Sequence, residues 1–303
     1  MASTEIAAAG VRPHTWRHYL ELTKPRVIVL IIFTALVGML LALGDGPVPW
    51  LRLTAGLAGI SLAAAAGAVF NHAAEARIDA VMDRTRHRPL PSGRLDGLHA
   101  LAFGGVLALT SMALLVSFTD VLTATLTLAS MVGYAVVYTV YLKRRTPQNI
   151  VWGGVAGAAP PALGWCAVTG SLGVEPLLLF LIIFTWTPPH FWALAIRRRE
   201  DYARAGLPML PVTHGVEFTK QQIFIYAVML FAVSLLPFGL GFQGLVYLAG
   251  AVVLGAGFLR HAWRLLRTPG DGYAMATFRY SIVYLTSLFV ALLADGWLRS
   301  VGS

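Results

Sequence analysis

Nine stretches of mainly apolar residues, at about 27–43, 51–70, 98–118, 121–141, 150–169, 176–196, 221–241, 243–262 and 279–298, are separated by short charged segments. About 20 such residues in helical conformation cross the hydrocarbon core of a bilayer. Because a backbone in lipid must satisfy its own hydrogen bonds, the spanning elements are helices. The pattern predicts an all-α membrane protein of about nine transmembrane helices. Composition closes the soluble option, since 57% of the 303 residues are hydrophobic and 12% charged, against about 25% charged in a soluble domain. Mean hydropathy is +0.70. The net charge of +9 therefore has no broad water-facing surface to occupy, which excludes a nucleic-acid partner and makes the lipid bilayer the principal surroundings. The single cysteine, Cys166, excludes an internal disulfide framework.

Lys and Arg accumulate in cytoplasmic connections. Taking the N-terminus and every second connection as one side places 21 of the 23 basic residues there, with Arg52 and Arg299 on the other. The expected division is a cytoplasmic N-terminal segment 1–26, a single transmembrane domain 27–298 and a short external tail 299–303. Residues 1–26 carry Glu5 and Glu21 and read as neither a secretory signal nor a transit peptide; a bacterial inner membrane is the expected location. The long connections lie on the basic side, where function usually concentrates.

The first of these begins as NHAAEARIDAVMDRTRHRPLPSGR at Asn71. Asn71, Glu75, Asp79 and Asp83 recur every four residues, and each step of four drifts by only about 40° around a helix. On a continuing helix all four share one face. Stacked like charges weaken a helix and are costly near a membrane, so the register points to a divalent cation held by Glu75, Asp79 and Asp83. Oxygen ligands suit Mg²⁺, which commonly takes one or two carboxylates plus substrate phosphates. Arg77, Arg84, Arg86, Arg88 and Arg94 alongside supply guanidinium groups for phosphate oxygens, and metal with arginines suggests a diphosphate.

The second cluster is FTWTPPHFWALAIRRREDYARAGLPMLPVTHG. Pro188 and Pro189 predict a break within the membrane, with His190 near the start of the next helical segment. On that segment His190, Arg197 and Asp201, at offsets of 0, 7 and 11, share one face.

These residues resemble the UbiA-type intramembrane aromatic prenyltransferases, and within them the branch that farnesylates haem. The likeness runs almost end to end: LTKPRV from Leu22, the ladder with RTRHRPLPSGR, YTVYLKRRTPQNIVWGGVAGAAPPALGW from Tyr138, TPPHFWALAI and DYARAGLPMLPV, and FRYSIVYL from Phe278. The resemblance implies a bundle around a central cavity open to the cytoplasm. It also implies farnesyl transfer from farnesyl diphosphate to the 2-vinyl group of haem B, with Mg²⁺ as cofactor, haem as substrate, and a haem A synthase as a candidate downstream partner.

Placed on that chemistry, Asp79 and Asp83 hold the metal with Glu75 and Asn71 supporting, and Arg77, Arg84, Arg88, Lys143 and Arg197 bind diphosphate. Tyr138, Trp186 and Phe191 offer π faces to an allylic cation. The wider family carries a second Asp-rich motif where this chain has His190 and Asp201. Those two residues therefore read as diphosphate-positioning or haem-handling groups, with Tyr138 and Asn149 as further haem contacts. His190 is the leading candidate for an iron ligand, with His72, His87 and His214 competing. The alternatives are an acceptor such as a quinone precursor or chlorophyllide, or a secondary transporter. Against the transporter stands the placement of the acids beside arginines at the cytoplasmic mouth rather than at the bilayer midplane.

Overall fold

A computed structural model describes residues 15–43 and 47–302. The first fourteen residues of the expected N-terminal segment, with Arg12, and Ser303 of the expected tail lie outside the described residues. The regular elements among the described residues are all helices: α1 (Trp16–Leu22), α2 (Pro25–Leu41), α3 (Trp50–Asp79), α4 (Gly97–Phe118), α5 (Val121–Val132), α6 (Asn149–Ala158), α7 (Pro160–Thr169), α8 (Val174–Arg197), α9 (Arg199–Arg204), α10 (Leu210–Thr213), α11 (Gly215–Gly239), α12 (Leu245–Arg267) and α13 (Ala274–Gly302). The α5 helix continues as a π-helical stretch over Gly133–Tyr141 and a 3-10 turn over Leu142–Arg144.

Among the described residues eight helical segments are long and apolar enough to span a membrane, and α1 with α2, bent by 55°, makes a ninth. The protein is a multi-pass membrane protein, as the apolar runs require. Two boundaries differ from the sequence expectation. The helix containing the second run carries on to Asp79, and α13 runs through Gly302, so residues 299–302 are the last turn of a helix.

Polar side chains at helix ends fix where spans begin. Asp96 accepts from the Leu98 amide at 3.1 Å, and Asp120 from the Thr123 amide at 2.8 Å, each satisfying an orphan donor of a first turn. The buried Asp295 of α13 does the same for α12, accepting from the amides of Gly244 and Tyr247. Lys220, fully buried, donates to the Thr268 carbonyl at 2.6 Å beyond the other end of α12.

Lipid gives helices no hydrophobic reason to associate, so they pack by close fit. The α2 and α7 helices touch backbone to backbone: a Cβ on Gly38 would collide with the Pro161 carbonyl, and one on Gly164 with the Ala35 carbonyl. Around this seam lies a core built from Ala35, Met39, Leu163 and Ala167, and a larger one joins Val37 to Ile182, Trp186, Tyr247, Phe258 and Phe289 of the later helices.

The expected break at Pro188–Pro189 does not occur. The α8 helix runs unbroken from Val174 to Arg197 with both prolines inside. Each proline removes one amide donor, but α8 is packed against α6, α11 and α13. The adjoining Thr185 and Thr187 hydroxyls bond back to the Leu181 and Ile183 carbonyls at 2.8 Å each. The carbonyls the prolines release are those of Phe184 and Thr185, to which neither hydroxyl bonds, so it is packing against neighbouring helices that makes both prolines tolerable here.

Candidate active site at the basic end

Asn71, Glu75 and Asp79 are 2%, 4% and 3% exposed on the last turns of α3, one face of the helix as the four-residue spacing dictates. Two carboxylates at this burial are tolerable only when paired. Each of the three residues meets a cation from a different part of the chain. Lys24 Nζ donates to Asn71 Oδ1 at 2.5 Å, Lys143 to Glu75 Oε1, and Arg88 Nη1 to Asp79 Oδ2 at 2.7 Å. The Asn71 amide is oriented by a second bond, from Nδ2 to Thr139 Oγ1 at 3.1 Å, and Thr139 in turn donates to the Tyr134 carbonyl at 2.8 Å. The π-helical stretch thus sets the direction of the Asn71 oxygen.

Lys24 occupies the elbow between α1 and α2 in the left-handed region, at φ 54°. A non-glycine residue there costs about 1–2 kcal/mol and persists where its surroundings over-determine it. Here the elbow directs the ammonium onto Asn71.

Asp83 departs from the ladder. The α3 helix ends at Asp79, whose carbonyl accepts from Thr85 Oγ1 at 2.9 Å. The following segment turns back so that Arg88 reaches Asp79. Asp83 is therefore off the helix, half exposed, and bonded to Arg204 Nη2 at 2.7 Å, with Arg86 at 4.0 Å. Arg84 is exposed. Arg77 is also exposed, two residues from both Glu75 and Asp79 and so on the opposite side of α3.

The second cluster divides likewise. The α8 helix stops at Arg197, so His190 and Arg197 share a face of it while Asp201 falls on α9. Arg197 pairs with Asp271 at 3.0 Å. Asp201, buried on α9, pairs with Arg204 and lies 3.7 Å from Arg198. Burial pushes the phenol of neighbouring Tyr202 above its usual range, leaving it a donor. His190 is buried among aromatic rings: Trp186 stacks at 4.2 Å and Phe278 at 4.6 Å between centroids, and Phe191 stands edge-on at 5.1 Å.

Tyr138 stacks on Tyr134 at 5.7 Å and lies against Gly153, where a Cβ would enter its ring. Asn149, fully buried at the first turn of α6, donates from Nδ2 to the Lys143 carbonyl at 3.1 Å, and its Oδ1 is unpartnered.

A cavity of about 540 Å³ opens beside this cluster, between the α1–α2 elbow and α3, lined by Arg17, Lys24, Arg26, His72 and Arg88. His72 is 2% exposed and neither ring nitrogen has a partner. A second cavity of about 260 Å³, with Trp165, Glu175, Gln243 and Arg299, is lined from the opposite end of the bundle, away from the carboxylates.

Among the described residues no three His, Cys, Asp or Glu side chains converge as a preformed metal cluster. The donor set nevertheless fits Mg²⁺. Asn71, Glu75 and Asp79 offer oxygen alone, and an ion that takes one or two carboxylates and leaves its other positions to phosphate and water needs no closed cage.

Sequence reasoning found the three α3 residues, Arg88 and Lys143. It left out Lys24, Thr139 and Arg204. A lysine directly before a helix-opening proline was a usable signal for Lys24. Thr139 and Arg204 act through contacts distant in sequence and carried none.

The sequence profile of the UbiA prenyltransferase family matches residues 31–293. The chain is similar to the protoheme IX farnesyltransferase of Thioalkalivibrio sulfidiphilus, 60% identical over 299 residues and 99% of either chain. It is also similar to that of Alkalilimnicola ehrlichii, 58% identical over 295 residues and 97% of either chain. Its fold is similar to a digeranylgeranylglyceryl phosphate synthase structure, with TM-score 0.78, 19% identity, 92% of this chain and 98% of that one. A UbiA homologue from Archaeoglobus fulgidus bound to DMAPP and Mg²⁺ is similar at TM-score 0.62, 14% identity, 90% of this chain and 98% of that one. At these identities the two structures speak to fold alone.

Proposed function

The chain belongs to the UbiA prenyltransferase family, and from that premise we propose that it transfers a farnesyl group from farnesyl diphosphate to the 2-vinyl group of haem B. The products are haem O and pyrophosphate. The observation that carries the reading is the near full-length identity to farnesyltransferases of this acceptor, joined to a site that pairs buried oxygen ligands with cations.

In the reaction the allylic C–O bond breaks and diphosphate departs with the electron pair. The vinyl carbon then forms the new C–C bond, and water adds to the resulting cation with loss of a proton. Magnesium, when bound, neutralises charge on the departing diphosphate, and Asn71, Glu75 and Asp79 are the residues that would hold it. Lys24, Lys143 and Arg88, now donating to those three side chains, are placed to donate to diphosphate oxygens instead. Preorganised donors of this kind act most strongly where water is excluded. The stacked Tyr134 and Tyr138 offer π faces to the farnesyl cation.

The same reading sets orientation. The basic end of the bundle faces the cytoplasm of a bacterial inner membrane, the N-terminus lies on that side, and diphosphate enters from there. A haem A synthase is a candidate recipient of the product.

The test is incubation of purified protein with farnesyl diphosphate, Mg²⁺ and haem B, followed by mass spectrometry. Haem O is expected; farnesylation of a quinone precursor or chlorophyllide with no haem O overturns the acceptor.

A further inference from the structure

His190 and Ser281 form a relay whose hydrogens can be placed by counting. Ser281 Oγ lies 2.6 Å from the Phe278 carbonyl and 2.7 Å from His190 Nδ1. A carbonyl only accepts, and a serine hydroxyl has one proton. Assigning that proton to Phe278 gives His190 Nδ1 the hydrogen donated to Ser281. The imidazole is thereby held as the Nδ1–H tautomer, and Nε2 keeps its lone pair.

Other contacts fix the ring itself. Trp186 and Phe278 cover its two faces, and Trp186 is pinned by its own Nε1 bond to the Ser281 carbonyl at 2.7 Å. One residue of α13 thus binds two residues of α8 that lie one turn apart. The ring's one hydrogen bond among the described residues is that of Nδ1, which leaves Nε2 without one.

An imidazole with one nitrogen donating to an oxygen and the other offering a lone pair is the arrangement in which histidine binds metals, the outer bond fixing ring orientation and raising ligand basicity. None of the competing histidines combines it with burial. Neither nitrogen of His72 has an orienting partner. His214 does have an Nδ1 bond, to Thr213 Oγ1 at 2.8 Å, but it is exposed, with its ring on Phe218. His87 is exposed.

We propose that His190 Nε2 is the axial ligand of the substrate haem iron, and that Ser281 is the positioning residue that sets its tautomer. The inference rests on the haem reading above. Coordination orients the porphyrin, and so determines which edge of the ring is presented for alkylation.

The test uses the purified full-length protein titrated with ferric haem B and followed by the Soret band and by electron paramagnetic resonance. The unsubstituted protein is expected to give an imidazole-ligated spectrum. H190A should lose it, and added imidazole should restore it, which separates loss of a ligand from loss of the fold. S281A should weaken haem binding about 10- to 100-fold, and S281T, which keeps the hydroxyl, should bind as the parent does. A ligated spectrum that persists in H190A overturns the ligand and leaves the haem reading standing. No perturbed Soret band in the unsubstituted protein overturns both.

Discussion

Arg204 on α9 donates to Asp83 at 2.7 Å across 121 residues of chain, and the same guanidinium Nη2 also holds Asp201. The connection after α3 is thereby tied to the connection after α8, and the two polar clusters read separately from the sequence become opposite sides of one mouth. The bond is half exposed, so its expected energy is small. In a double-mutant cycle of Arg204→Ala and Asp83→Ala, thermal unfolding should give no more than the small coupling in the range typical of exposed ion pairs. A coupling well above this range would mean that the pair is shielded from water.

Asp79, 3% exposed, is the last residue of α3 before the chain turns back on itself, and it is held by Arg88 from outside the helix. Asp79→Asn keeps the shape and removes the charge. Turnover should fall by at least about 100-fold, the melting temperature should fall as Arg88 loses its charged partner, and chelation of Mg²⁺ should abolish turnover of the parent protein reversibly. Full activity in the variant would remove Asp79 from the metal site.

His72 has both ring nitrogens buried without partners, a condition that costs about 1–3 kcal/mol for an unsatisfied group. His72→Leu is of similar bulk and carries no polar atom. Its melting temperature in detergent should therefore rise, and a fall would show that the imidazole is satisfied in solution.

Gly38 and Gly164 place the α2 and α7 backbones in direct contact. Gly38→Ala should destabilise by about 1–3 kcal/mol, because the added methyl meets a backbone carbonyl, which cannot rotate away as a side chain can. Gly105, around which a Cβ would find open space, is the control: Gly105→Ala should be neutral or slightly stabilising, as helix propensity predicts.

Orientation has a labelling test. With Cys166→Ser as background, Arg86→Cys should react with a membrane-impermeant thiol reagent only in inverted vesicles, and Leu172→Cys only in intact cells whose outer barrier is opened. The reverse pattern would invert the assigned topology.

The span count, the basic end and the shared face of the buried Asn71, Glu75 and Asp79 were all legible without coordinates. Each depends on a local property: bilayer thickness sets the length of an apolar run, charge bias accumulates residue by residue, and a spacing of four selects one face of a helix. Tertiary structure decided the rest. Pro188 and Pro189 stay inside α8 because surrounding helices support what two missing amides would release. Asp83 leaves the ladder because Thr85 and Arg88 turn the chain at Asp79. Lys24, Lys143 and Arg88 reach Asn71, Glu75 and Asp79 from three separate segments. Such pairings depend on the directions in which distant elements approach, and that information lies in the packing of the whole bundle rather than in any one stretch of it.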